Sequence, residues 1–428
     1  MSDDSTIISN YIDNHFPANF KVSANQIDQL SWVLDHNVST NDLDLYIKSS
    51  AVHTEVSRAL TRLYCSQLLR SGTRDSYNAF VAAQLQSNIT EPLTFVTFNK
   101  LSKHIQSLQQ NDYELLEVAA ILAAVGLSEP ATTLANKIVD QNPPLKDNLD
   151  FLSITLRNYG EMYPIAQQVM LDNTAAKKLL YILFPPQTNF RHMLYTEGGV
   201  GMFNSLRTMI THGYIDRSEL DLLYASWIVN TAGFRGHILQ NGSVYLTEPV
   251  AQAILKLQTL TYQILDFPTY NPLLPYLEYR AHGLGLQNLP YDDKLFITHL
   301  GCLMRLYNVS QGQRLYASVM KLPKNQRIYA MNYFLIGLDD PTQRTPTYVP
   351  ALFGNILAAT NGDIEKVIAK ILPAYNEVLR QYIDQKQSNV LSFYKLASRD
   401  NIQYLLTRND SNNIQRFHID TNGTVTIS

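Results

Sequence analysis

Apolar side chains fall three and four positions apart through most of the chain, a spacing that lays them on one face of a helix. Val56, Leu60, Leu63 and Leu68, preceded by Val52, form one such stripe, and Gly72 stops it. Asp75 is placed to cap a helix carrying Tyr77, Phe80, Val81 and Leu85. Thr90, Glu91 and Pro92 then form a first turn, with Leu101, Ile105 and Leu108 continuing on one face. Inside that segment Leu93–Phe98 alternates apolar residues with Thr, which fits a short strand as well as a helix.

The plainest helical hairpin follows. Leu115, Leu116, Val118, Ala119, Leu122 and Val125 share a helix that Gly126 ends. Ser128 caps a second helix with Pro130 in its first turn, running through Leu134, Ile138 and Val139 to the break at Asn142-Pro143-Pro144. Helical stripes resume at Leu220, Leu223, Trp227 and Ile228, at Val250, Ile254, Leu257, Leu260 and Ile264, and after the capping Asp363. Pro373 should kink or restart that last helix. The segment from Asp339 to Pro350 reads as a proline-punctuated extended loop, able to lid a cleft or meet a partner. Phe417–Ile419 and Gly423–Ile427 read as a hairpin around Thr421-Asn422-Gly423.

The pattern therefore predicts an all-α protein of stacked helical hairpins with a small β-hairpin at the C-terminus. The proline break divides it into an N-terminal helical domain, residues 1–142, and a larger domain, residues 145–428. The larger domain has a distinct centre at 185–300 and a hairpin tail at 414–428; Pro185-Pro186 is a second boundary candidate. No fixed period supports a named repeat family.

Composition narrows the picture. Charged residues are 17% of the 428, against roughly 25% in an average domain. Tyr is frequent, at 26 residues, and phenols suit half-buried and interface positions. Lys+Arg (34) nearly balance Asp+Glu (37), and no basic run offers a phosphate-binding face, so nucleic acid is not an expected partner. Cys65 and Cys302 cannot build a disulfide framework, which fits a reducing compartment. The opening MSDDSTIISN lacks a signal peptide's basic start, and no apolar window is long enough to span a membrane. A cytoplasmic protein is the expectation.

The chain carries no GxxxxGK[ST] loop, HExxH helix, GxSxG elbow or His-Asp dipeptide. Candidate chemistry gathers instead in the centre. Five of ten histidines lie between 192 and 299, and seven of 18 glycines between 198 and 242. In the first cluster Arg191 is a candidate anion clamp beside Gly198 and Gly199, with His192 and Glu197 as proton carriers. In the second, Arg235 and His237 flank Gly236 in a bend after an apolar helix. In the third, Glu278 and His282 stand four apart on a predicted helix, with Arg280 between them.

The catalytic candidates are therefore His192, Glu197, His237 and Glu278. The substrate-binding candidates are Arg191, Gly198, Gly199, Arg235 and Arg280. His237 and His282 could join a metal site; no cofactor is indicated. His299, Cys302 and Cys65 sit in apolar stripes and read as packing.

Two functional classes follow. One is a hydrolase or transferase whose central cleft takes an anionic, phosphate- or nucleotide-bearing substrate; it requires the three clusters to converge. The other is a non-enzymatic interaction protein, such as a bacterial effector for a host protein, binding its partner through the N-terminal helices.

Overall fold

The computed structural model describes residues 3–34, 54–126, 128–138, 148–184, 190–339, 346–384, 390–407 and 417–427. Val52, Val139, the breaks at 142–144 and 185–186, and loop residues 340–345 lie outside them. The described residues form twenty α-helices and one two-stranded sheet, the expected all-α fold with its hairpin.

In chain order the helices begin with α1 (Asp3–His15), α2 (Ala24–Ser31), α3 (Thr54–Ser71), α4 (Arg74–Gln86), α5 (Phe95–Ser107), α6 (Gln110–Leu122) and α7 (Glu129–Asn136). There follow α8 (Asn148–Tyr159), α9 (Gln167–Leu171), α10 (Asn173–Leu183), α11 (Gly199–Thr211), α12 (Arg217–Gly233), α13 (Glu248–Asp266) and α14 (Leu273–Gly283). The last are α15 (Tyr291–Leu303), α16 (Val309–Met320), α17 (Lys324–Asp339), α18 (Val349–Ala359), α19 (Ile364–Asp384) and α20 (Arg399–Thr407).

Local chemistry explains where the helices start. Thr73, not Asp75, caps α4: its hydroxyl accepts from the Ser76 amide, and Asp75 sits in the first turn near the positive end of the helix dipole. The alternating Leu93–Phe98 stretch is no strand. Thr94 caps α5, and burial follows helical rather than two-residue spacing, with Leu93 and Phe98 buried and Val96 66% exposed. The same turn, not Thr90–Pro92, therefore opens the helix. Ser128 caps α7 with Pro130 in its first turn, as expected. The helix before it stops at Leu122, and residues 123–126 make the turn. Pro373 lies inside an unbroken α19 rather than restarting it.

The chain forms two compact units that differ from the expected division. The first joins Met1–Pro186 with Ile215–Leu255, and the second joins Gln187–Tyr214 with Lys256–Ser428. The first unit runs past residue 142 because α10 packs on α6 and α12, and α12 lies along α3.

Helix α3 is the hub of the first unit, packed against α12, α5, α6 and α4. Val56, Ala59, Leu60, Leu63 and Leu69 are fully buried on it. Glycine sets the closest approaches. A Cβ at Gly233 would stand 2.7 Å from the Arg62 amide nitrogen and 2.9 Å from the Arg58 carbonyl. One at Gly242, whose φ is +146°, would meet the Ala79 and Phe80 carbonyls at 2.5 and 2.6 Å.

In the second unit α15 is buried from Leu295 to Leu303 and packs against α14, α16, α17 and α18. Phe296, Phe334, Tyr375 and Phe393 stack successively across this core, with ring centroids 5.2–6.1 Å apart. The tail pairs antiparallel, β1 (Phe417–Ile419) with β2 (Val425–Ile427), and Asp420 ties its turn by accepting from the Asn422 and Thr424 amides. Thr347, at the end of the proline-rich segment, is extended and pairs with main chain at Leu391 and Phe393. Both cysteines are buried thiols, and no helix among the described residues is long and apolar enough to cross a membrane.

Trp32 and Trp227 both lie in the first unit and are the chain's two tryptophans, so their fluorescence reports that unit alone. Gly242→Ala should destabilise it by about 2–3 kcal/mol, since backbone carbonyls cannot step aside. Urea unfolding followed by tryptophan emission checks this; an unchanged midpoint would refute the packing argument.

Candidate functional site

The first cluster lies in the second unit. His192 sits on a 3-10 turn, Phe190–Tyr195, that leads into Gly198 and α11. Its Nδ1–H donates to the Glu197 carboxylate, whose other oxygen accepts the Val349 amide at 3.1 Å. The Glu197 side chain is 5% exposed and that of His192 24%. Three of the chain's left-handed non-glycine residues lie close by. Thr196 (φ 56°) precedes Glu197, and Tyr348 (φ 65°) precedes Val349. Arg305 (φ 60°) carries its guanidinium over the Tyr195 ring at 4.9 Å. Such backbone costs of order 1–3 kcal/mol per residue and persists only where surrounding contacts impose it. Gly199 (φ 52°) opens α11. The Arg191 side chain lies outside the described residues.

The third cluster meets the first within this unit, but through structural bonds. Arg280 is 3% exposed. It donates to the carbonyls of Leu194 (3.1 Å) and Leu306 (2.5 Å) and to the Tyr276 hydroxyl (3.0 Å), with the Tyr307 ring 4.3 Å away. Its role is to gather loop carbonyls, so the expected substrate clamp is turned inward. Glu278 pairs with Lys294 at 2.5 Å, and His282 is exposed at the end of α14.

His299 is buried behind the first cluster. Its Nε2–H donates to the Thr196 carbonyl, while Nδ1 has no hydrogen-bond partner among the described residues. Burial pulls its pKa down to about 4, the Thr196 bond opposing weakly, so the ring is neutral.

The second cluster belongs to the first unit, the other two to the second. Arg58 Nε donates to His237 Nδ1 at 3.2 Å. Burial and the Arg58 charge hold that imidazole below its ordinary pKa. Arg58 and Arg62 both pair with Glu55. Burial would raise that carboxyl, but the two guanidiniums outweigh it and hold it down. Arg235 is exposed, with its guanidinium 5.7 Å from the Tyr245 ring. Gly236 is there for packing: a Cβ would meet the Thr61 side chain at 2.4 Å. Among the described residues no three His, Cys, Asp or Glu side chains come together to hold a metal. The histidines considered for one, His237 and His282, fall in different units.

Sequence reasoning passed over a recess of about 920 Å³ in the first unit. Its walls are the segment joining α1 to α2, the start of α2, the C-terminal half of α3 and the exposed side of α6, with Ser76 and Ile165 at the edge. Asn19, Asn25, Gln26, Gln67 and Gln110 line it with amides, and Tyr64 and Tyr113 with phenols. Gln67 fixes one wall by accepting from the Lys21 amide and donating to the Lys21 carbonyl. Arg70 fixes another: it donates to the carbonyls of Ile105, Gln106 and Leu108 that close α5, and lies 4.8 Å from the Tyr113 ring. Lining residues come from four separate stretches, and the one forewarning was the abundance of Tyr and amides.

A model of a family of unknown function, DUF6829, matches residues 36–407. The chain belongs to this family. No curated protein and no solved structure gives a match. In this DUF6829 member α1, α2 and the C-terminal hairpin lie outside the matched stretch, so the cleft combines a family wall of α3 and α6 with one from residues 19–26.

Two outcomes test these assignments. Glu197→Ala should destabilise the second unit more than His192→Ala, by about 1–3 kcal/mol, because it also strands the buried Val349 amide. Far-UV circular dichroism during urea unfolding, with tryptophan emission separating the first unit, measures both.

The His299 pKa is lower folded than unfolded. Its contribution to stability is thus complete above about 6.5 and lost as pH falls toward about 4. The loss is on the order of 3 kcal/mol. His299→Gln should flatten the acid limb of the second unit's unfolding curve; an unaltered limb would remove His299 from the account.

Proposed function

We propose that this chain is a helical binding protein that receives an extended polypeptide segment in the cleft between α2, α3 and α6. The cleft lining carries the proposal. The Asn19 and Asn25 amides supply donors and acceptors together, which matches the alternating N–H and C=O groups of an extended chain, while Gln26, Gln67 and Gln110 bond within the walls and hold them in shape. Tyrosines add flat contact area at little entropic cost, as they do on other recognition surfaces. Its volume falls at the upper end of the range of ordinary ligand pockets. The residues first considered for chemistry argue in the same direction: Arg280, Glu278 and His237 are engaged by internal partners. The buried thiols suit a reducing cytoplasm as the place of action.

Full-length protein panned against a displayed peptide library provides the test. Asn25→Trp with Gln110→Trp, both at exposed rim positions, should lower affinity for the selected peptides at least tenfold. His192→Ala should leave it unchanged. Selected peptides that bind the rim variant equally well would refute the proposal.

A second reading rests on the His192–Glu197 pair with its left-handed neighbours. A carboxylate on Nδ1 orients an imidazole for proton transfer, and strained backbone gathers at functional sites. On this reading the second unit is a hydrolase or transferase for a phosphate- or nucleotide-bearing substrate. Turnover of a nucleotide or phosphoester panel that His192→Gln abolishes would favour it over the binding protein.

A further inference from the structure

Asparagine followed by glycine is chemically labile, because no Cβ keeps the glycine nitrogen away from the asparagine side chain. The sequence holds three such pairs, Asn241-Gly242, Asn361-Gly362 and Asn422-Gly423. The fold treats them differently. After α18 the Gly362 amide donates to the Leu357 carbonyl at 2.8 Å, and in the terminal hairpin the Gly423 amide donates to the Asp420 carbonyl at 2.9 Å. Each bond holds the proton that the reaction must remove and fixes the turn around it. The Gly242 amide has no hydrogen-bond partner among the described residues, and residues 241 and 242 form a bend rather than a hydrogen-bonded turn. Asn241 is exposed, and its side chain makes one hydrogen bond, from Nδ2 to Gln86 Oε1 at 3.0 Å.

We propose that Asn241 is a site of spontaneous deamidation, the one of the three pairs that folding leaves reactive, and that its conversion loosens the first unit. The Gly242 main-chain nitrogen gives its proton to water or hydroxide and attacks the Asn241 Cγ. Nδ2 leaves as ammonia, and a cyclic succinimide closes. Water then opens the ring at one carbonyl to give aspartate, or at the other to give isoaspartate. The net change is one water in and one ammonia out, with no oxidation or reduction.

Both products suit their surroundings badly. Gln86 is the last residue of α4. A carboxylate at position 241 faces the Gln86 oxygen where a donor stood, beside the negative end of the α4 dipole. Isoaspartate also adds a methylene to the main chain just before Gly242, whose α-carbon is pressed against α4. A Cβ there would lie 2.5 Å from the Ala79 carbonyl, and the next amide, of Ser243, donates to the Phe80 carbonyl at 2.9 Å. The added length must break that bond or lift the bend off α4.

Full-length protein aged at mildly alkaline pH and then digested with trypsin provides the test. The pairs fall on separate peptides, 236–256, 345–366 and 417–428. Deamidation adds about 1 Da to a peptide. In the folded protein the 236–256 peptide should gain that mass at least fivefold faster than the other two. In urea the three rates should converge, since each pair is Asn-Gly. Hydroxylamine, which cleaves succinimides, should cut the aged native chain after residue 241. A native rate at Asn241 no higher than at Asn361 or Asn422 overturns the assignment.

The structural consequence has its own measurement. Converted protein, separated by its added negative charge on anion exchange, should unfold at a lower urea midpoint by tryptophan emission than unconverted protein. Asn241→Ser protein aged in parallel should keep its starting midpoint. Equal midpoints for converted and unconverted protein, or an equal loss in aged Asn241→Ser, overturn the claim that deamidation loosens the first unit.

Discussion

The first unit depends on how closely two backbones can approach. Helix α12 and the turn after it lie against α3 at separations where a single methyl group would strike main-chain atoms, which is why Gly233 and Gly236 stand where they do. The contact is polar as well as tight. Arg58 and Arg62 converge on Glu55 from one helix, and Arg58 reaches His237 across the turn. Ser57 donates to the Gly236 carbonyl at 2.9 Å and accepts from Tyr11 and Gln240. Buried ion pairs add little net stability, but losing one member leaves an uncompensated charge, so such a knot disfavours other registers of α12 on α3. With α12 fixed, α3 presents its other end to α5, α6 and the 17–23 segment, where the cleft opens.

A comparable arrangement organises the second unit through one buried cation. Arg280 draws the carbonyls of Leu194 and Leu306 toward α14, tying the turn before α11 to the turn after α15. Glu197 performs the complementary task with anionic oxygens, tying His192 to the first amide of α18. Each charged group thereby satisfies backbone that no helix could satisfy, since the carbonyls and amides at helix ends have no partner within the helix. The left-handed conformations of Thr196, Arg305 and Tyr348 fall at these junctions, where geometry is dictated by the pieces on either side.

The helical stripes were legible because burying a face requires only local spacing. Val56, Leu60 and Leu63 are buried as their spacing demands, and Ser128 with Pro130 starts α7 where capping chemistry places it. The hairpin at Thr421-Asn422-Gly423 was equally plain, because Gly423 supplies the positive φ of +81° that the turn needs. Leu93–Phe98 stayed open between strand and helix because alternation over six residues is also what a capped helix entry shows. The proline break at 142–144 misled about domains because a chain that pauses need not leave the core it is building.

The concentration of Gly, Arg and His in the centre was real, but its meaning was not local. Unpaired in the sequence, Arg280 and Glu278 are indistinguishable from catalytic residues; only the fold supplies Leu194, Leu306 and Lys294 as their partners. The cleft was hidden for the same reason. Its walls come from stretches that periodicity treats separately. Sequence alone determined the main helical stripes, the Ser128 cap, the terminal hairpin and the absence of familiar catalytic motifs, because those follow from interactions between near neighbours. Tertiary structure decided which charges are spent on the backbone and which face a hollow, because desolvation and pairing are set by residues distant in the chain.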